Sequence, residues 1–96
     1  MSLFWQGHPV DNFGGFVNLG ERKLVIEGKL RDMGFTNTAI NDFEVAGDRP
    51  GTRLSIAHFA VTNTRHHEVV MAGGDDPGTK IARDQVVEML GNLHPL

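Results

Sequence analysis

Five histidines occur in this chain of 96 residues, and His58, His66 and His67 lie close together along it. Imidazole titrates near neutrality, passes protons between heteroatoms and is the commonest protein ligand for transition metals. Histidines on neighbouring strands are near enough to share a metal or a proton, which makes His58 and His67 the first candidate pair. Zinc at a reactive site takes three protein ligands and leaves a fourth position open, yet the next acidic residues, Asp75 and Asp76, follow the end of the strand. The spacing fits no metal motif, so no metal and no cofactor are expected. A histidine hydrogen-bonded at a sheet edge or under a helix explains the pattern equally well.

Nucleophilic chemistry has less support. His58 with Glu68 or Asp42 would make an acid–base pair, because a carboxylate that holds an imidazole tautomer raises its basicity. No nucleophile accompanies that pair: Ser55 is three positions earlier and points to the other face of a strand, and Cys and Tyr are absent. The segment from Gly73 to Lys80 has the glycines of a phosphate loop, but Thr79 precedes Lys80 where the order should be reversed. Asp75, Asp76 and Pro77 would repel phosphate and remove an amide donor, so the segment reads as a loop and a helix cap. Asp75 and Asp76 also lack the spacing of a calcium loop.

Composition narrows the partners. The formal charge is −3, the isoelectric point is near 5.9, and no basic cluster exceeds Arg22-Lys23, which argues against nucleic acid. The absence of cysteine removes disulfide and thiolate chemistry and suits a cytoplasmic protein. No apolar run approaches the roughly 18 residues needed to span a bilayer, and the N-terminus lacks the pattern of a signal peptide. With 40% apolar and 22% charged residues the chain has a globular balance, and its length allows one domain.

The elements that must position these groups follow from periodicity. Residues 1–18 carry Phe4, Trp5, Phe13 and Phe16 but are broken by glycines and Pro9, and they read as an irregular aromatic arm before a single α+β domain at 19–96. Leu19, Ile26, Leu30 and Met33 share one side of a helix that Gly34-Phe35 closes, although Lys23–Leu30 would also suit a strand. Residues 42–48, 53–62 and 65–73 read as three strands joined at Pro50-Gly51 and Asn63-Thr64. Two-residue loops at both turns place Asp48 opposite Arg53, Val45 opposite Ile56, Phe43 opposite His58, His58 opposite Val69 and Ala60 opposite His67. That register gathers Phe43, Leu54, Ile56, His58, His67, Val69 and Met71 on one face. Ala57, Phe59, Val61 and Val70 then fall on the other. A second loop longer by one residue would instead bring His66 and Glu68 beside His58. Asp76-Pro77 starts a last helix whose stripe is Ala82, Val86, Met89, Leu90 and Leu93.

The expected fold is therefore α+β in the order α-β-β-β-α, a three-stranded antiparallel meander with both helices on one face. The uncovered face, with Ala57, Phe59, Val61 and Val70, predicts an interface between two copies. The expected function is a non-enzymatic interaction or ligand-binding module, homodimeric through its sheet and taking a protein partner or a small ligand. The alternative is a small enzyme or metal-binding protein centred on His58 and His67. Trp5, Phe43 and Met71 are the expected walls of a ligand pocket beside those histidines.

Overall fold

A computed structural model describes residues 2–95. Helix α1 runs from Leu19 to Asp32, and Asn18 caps it by accepting the Glu21 amide at 2.9 Å. It ends as the Gly34-Phe35 pair predicts. Gly34 has φ +89°, a left-handed conformation that favours glycine, and the Phe35 amide reaches back to the Leu30 carbonyl at 3.0 Å. Phe35 is thereby turned into the core. Helix α2 spans Thr79–Gly91, starting slightly later than Asp76-Pro77 suggests, with the Asp76 carboxylate accepting the Gly78 amide at 2.6 Å.

Between the helices in sequence lie β2 (Thr36–Ile40), β3 (Glu44–Arg49), β4 (Thr52–Ala60) and β5 (Arg65–Gly74), and β1 (Ser2–Asp11) precedes them all. The five strands form one antiparallel sheet in the order β1-β5-β4-β3-β2. The α+β class holds, but the three-strand meander is extended by an edge strand on each side. The arm is the larger correction. Its residues Ser2–Asp11 pair with β5, from Ser2 opposite Gly74 to Asp11 opposite Arg65. Pro9 lacks an amide donor, which an outer strand tolerates, and a Cβ on Gly7 would lie 3.2 Å from Val69, so that glycine permits close approach. Arg83 of α2 fastens β1 from the helix side by donating to the Trp5 carbonyl at 3.3 Å and to Gln6 at 2.9 Å.

The first hairpin has the expected register, with Val45 opposite Ile56 and Asp48 opposite Arg53. The second differs by one residue. His58 faces Glu68 and Ala60 faces His66, because residues 61–64 all belong to the loop. The Thr62 hydroxyl accepts the Arg65 amide at 3.0 Å, and the Val61 and Thr62 amides both donate to the Arg65 carbonyl. This side-chain turn substitutes for the two-residue turn that Asn63-Thr64 suggests. A slip of one residue turns every side chain of β5 to the opposite face.

Both helices pack on the face that receives Val45, Leu54, Ile56, Val70 and Ala72, all fully buried with Ile26 and Leu30 of α1 and Val86 of α2. Completely burying one such aliphatic side chain contributes roughly 1.5–3 kcal/mol. Among the described residues no helix is long and apolar enough to cross a membrane.

Candidate functional site

The register creates a row of polar groups inside the domain. Glu68 in β5 stands opposite His58 of β4 on one side and His8 of β1 on the other, and His66 lies two positions earlier on the same face. Alternation therefore sends three imidazoles and one carboxylate under the helices. Arg22 reaches them from α1, where it shares the buried stripe of Ile26 and Leu30 at four-residue intervals.

Glu68 is completely buried, and Arg22 is 1% exposed. Their contact is bidentate, with Arg22 Nε 2.8 Å from Oε2 and a terminal guanidinium nitrogen 2.9 Å from Oε1. The Nε2 atoms of His58 and His66 lie 3.1 and 3.4 Å from Oε2, and that of His8 lies 3.5 Å from Oε1. Burial alone would raise the Glu68 pKa. Hydrogen bonds from Arg22, His58 and His66, with the Arg22 charge, overcome it and hold the carboxyl far below the usual range. For His8 burial is the leading influence and lowers the imidazole below its ordinary value, against the opposing attraction of Glu68.

The arrangement is chemically crowded. A carboxylate offers about four lone-pair positions, and two Arg22 nitrogens and three imidazole nitrogens converge on this one. Meanwhile Nδ1 of His8, His58 and His66 is buried without a hydrogen-bond partner. A buried polar atom left in that state costs about 1–3 kcal/mol. The His58 and His66 rings are 5.5 Å apart, Phe13 stacks on His66, and Arg22 lies over Phe16. Among the described residues, His58, His66 and Glu68 form the set able to hold a metal ion, each offering one ligand atom within 4.8 Å of the others. A cavity of about 210 Å³ beside the cluster is lined by His8, Gly14, Arg22 and His94.

The candidates expected from sequence are divided between the two sides of the sheet. His58 belongs to the cluster, whereas His67 is exposed on the far face opposite Phe59. Trp5 and Met71 pair with each other on that far face, so neither lines a pocket beside His58. Phe43 is 75% exposed because the Asn41 side chain accepts the Phe43 and Glu44 amides at 2.8 and 2.9 Å, a local turn that tips the ring outward before β3 begins. The sequence reading left His8 within the irregular arm of residues 1–18 and gave Arg22 no role in a site. The available signal for Arg22 was a cation on an otherwise apolar helical stripe.

Among the described residues no helix lies over the far face. Leu3 is 67%, Trp5 68% and Phe59 58% exposed, whereas Ala57, two positions before Phe59 on β4, is largely buried. Val61 is exposed in the loop beyond β4, but Val70 points into the core and leaves this face. A shallow depression of about 630 Å³ is lined by Leu3, Met71, Ser55 and Arg53. Ion pairs stand at opposite ends of the strands, Arg53 with Asp48 at 3.3 Å and Arg65 with Asp11 at 2.9 Å. Comparison with protein-family models, with curated proteins and with solved structures finds no match for this chain.

Proposed function

We propose that this protein is an interaction module whose open sheet face binds a second copy of the chain. The observation that carries the reading is the exposure of Leu3, Trp5 and Phe59 on the face opposite both helices. Contiguous apolar surface of this kind marks an interface, and aromatic side chains supply most of its binding energy. The charges on the face favour a second copy over a strongly acidic or basic partner. Arg53 and Arg65 each already have a carboxylate beside them, so the face presents balanced charge rather than a field of one sign. Two such sheets stack about 10 Å apart with strands inclined by roughly 30°.

Sedimentation equilibrium tests this directly. The wild-type chain is expected to associate, and Phe59→Asp, which would bury a charge within the patch, is expected to weaken association at least tenfold without loss of helix or sheet signal. Wild-type protein that remains monomeric at high micromolar concentration would rule the reading out.

A further inference from the structure

We propose that the buried Glu68 cluster is a site for a divalent transition metal ion of the zinc class, with His58 and His66 through Nε2 and the Glu68 carboxylate as ligands. The site lies on the opposite side of the sheet from the proposed interface and does not depend on it. Three observations carry the assignment. The spacing is that of a coordination shell: metal–nitrogen and metal–oxygen bonds of about 2.0–2.2 Å imply tetrahedral edges of about 3.3–3.6 Å. The observed separations from Oε2 are 3.1 Å for His58 and 3.4 Å for His66. His8, 3.5 Å from Oε1, lies beside this set of three but outside it.

The donor chemistry is also selective. Two or three imidazoles with one carboxylate suit zinc and its neighbours, whereas magnesium and calcium favour shells made almost wholly of oxygen. Finally, neutralising Glu68 requires only Arg22, which already contacts both carboxylate oxygens. Nothing in that pairing calls for three further imidazoles turned toward the same carboxylate. Their convergence is accounted for when Nε2 is a metal ligand in one state and a proton donor to Glu68 in the other.

Arg22 defines the alternation between these states. Guanidinium and metal compete for the same carboxylate, because Arg22 Nε already contacts the Oε2 that His58 and His66 face, so the ion binds best when Arg22 moves aside. The cavity beside His8 and Arg22 gives the displaced side chain room to move.

Cobalt(II) is the probe, titrated into full-length, tag-free protein and followed by visible absorption, with zinc competition to establish site occupancy. One equivalent of cobalt should give the ligand-field bands of a four- or five-coordinate site, and zinc should abolish them. His66→Gln, nearly equal in size and expected to keep the fold, should weaken binding at least tenfold, as should His58→Gln. The His67→Ala/His94→Ala double variant should bind like wild type. Arg22→Gln should tighten binding at least tenfold, an effect that a purely structural Arg22 would not produce. Absence of stoichiometric cobalt or zinc binding by folded wild type overturns the proposal. So do bands that survive His58→Gln/His66→Gln, or an Arg22→Gln affinity no greater than that of wild type.

Discussion

Replacing Arg22 by methionine removes the guanidinium that pairs with Glu68 and leaves a fully buried carboxylate facing the imidazoles of His8, His58 and His66. Breaking one side of a buried ion pair costs about 3–5 kcal/mol, because the surviving charge keeps its desolvation penalty and loses its partner. Against a total stability of about 5–15 kcal/mol this is a large fraction. At about 4–8 °C per kcal/mol for a domain of this size, the melting temperature should fall by more than about 12 °C. Glu68→Gln should be comparably damaging, since it strands Arg22 instead. The Arg22→Met/Glu68→Gln double variant contains neither charge, while glutamine retains an acceptor for His58 and His66. It should therefore be more stable than either single variant. Urea unfolding of the four proteins measures the cycle, provided their slopes agree. Stability losses that simply add in the double variant would refute the argument that the cost arises from an unpaired buried charge.

Acid should destabilise the protein in two stages. The folded pKa of His8 is lowered, so its contribution is complete above its ordinary value near 6.5 and is lost as pH falls through the folded value. That of Glu68 is depressed further relative to its ordinary value near 4.5, so its contribution is complete above 4.5 and declines below it. Urea midpoints measured downward from pH 7 should fall throughout, and Glu68→Gln should flatten the segment below pH 4.5; an unchanged slope there would contradict the assignment. Asn18→Ala removes the cap of α1 and should cost about 1 kcal/mol by the same assay. His67→Ala, on an exposed histidine beyond the cluster, should alter stability by no more than about 0.5 kcal/mol.

Much of the architecture was legible locally. Gly34-Phe35 and Pro50-Gly51 act through their own backbone preferences, and the helix-end and hairpin geometries they imply are present. The second hairpin was not legible in this way, because its loop is set by the Thr62 hydroxyl accepting the Arg65 amide, a side-chain interaction with no strong dipeptide signal. That one-residue difference exchanges His67, Val69 and Met71 for His66, Glu68 and Val70 beneath the helices. Strand β1 was hidden by Gly7 and Pro9, which punctuate a central strand but are compatible with an edge. Its recognition matters chemically, because β1 brings His8 to Glu68 and places Trp5 on the open face. Arg22 needed tertiary structure to be understood, since its partner is 46 positions away.

Trp5 is the only tryptophan and lies 68% exposed on the uncovered sheet, which makes it a reporter of whatever covers that face. Acrylamide quenching of its fluorescence, followed from nanomolar to high micromolar protein, tests self-association through this face most directly. The account predicts a blue-shifted emission and a severalfold drop in quenching as concentration rises, both absent in Phe59→Asp. Emission and quenching that remain those of exposed indole over the whole range would contradict it.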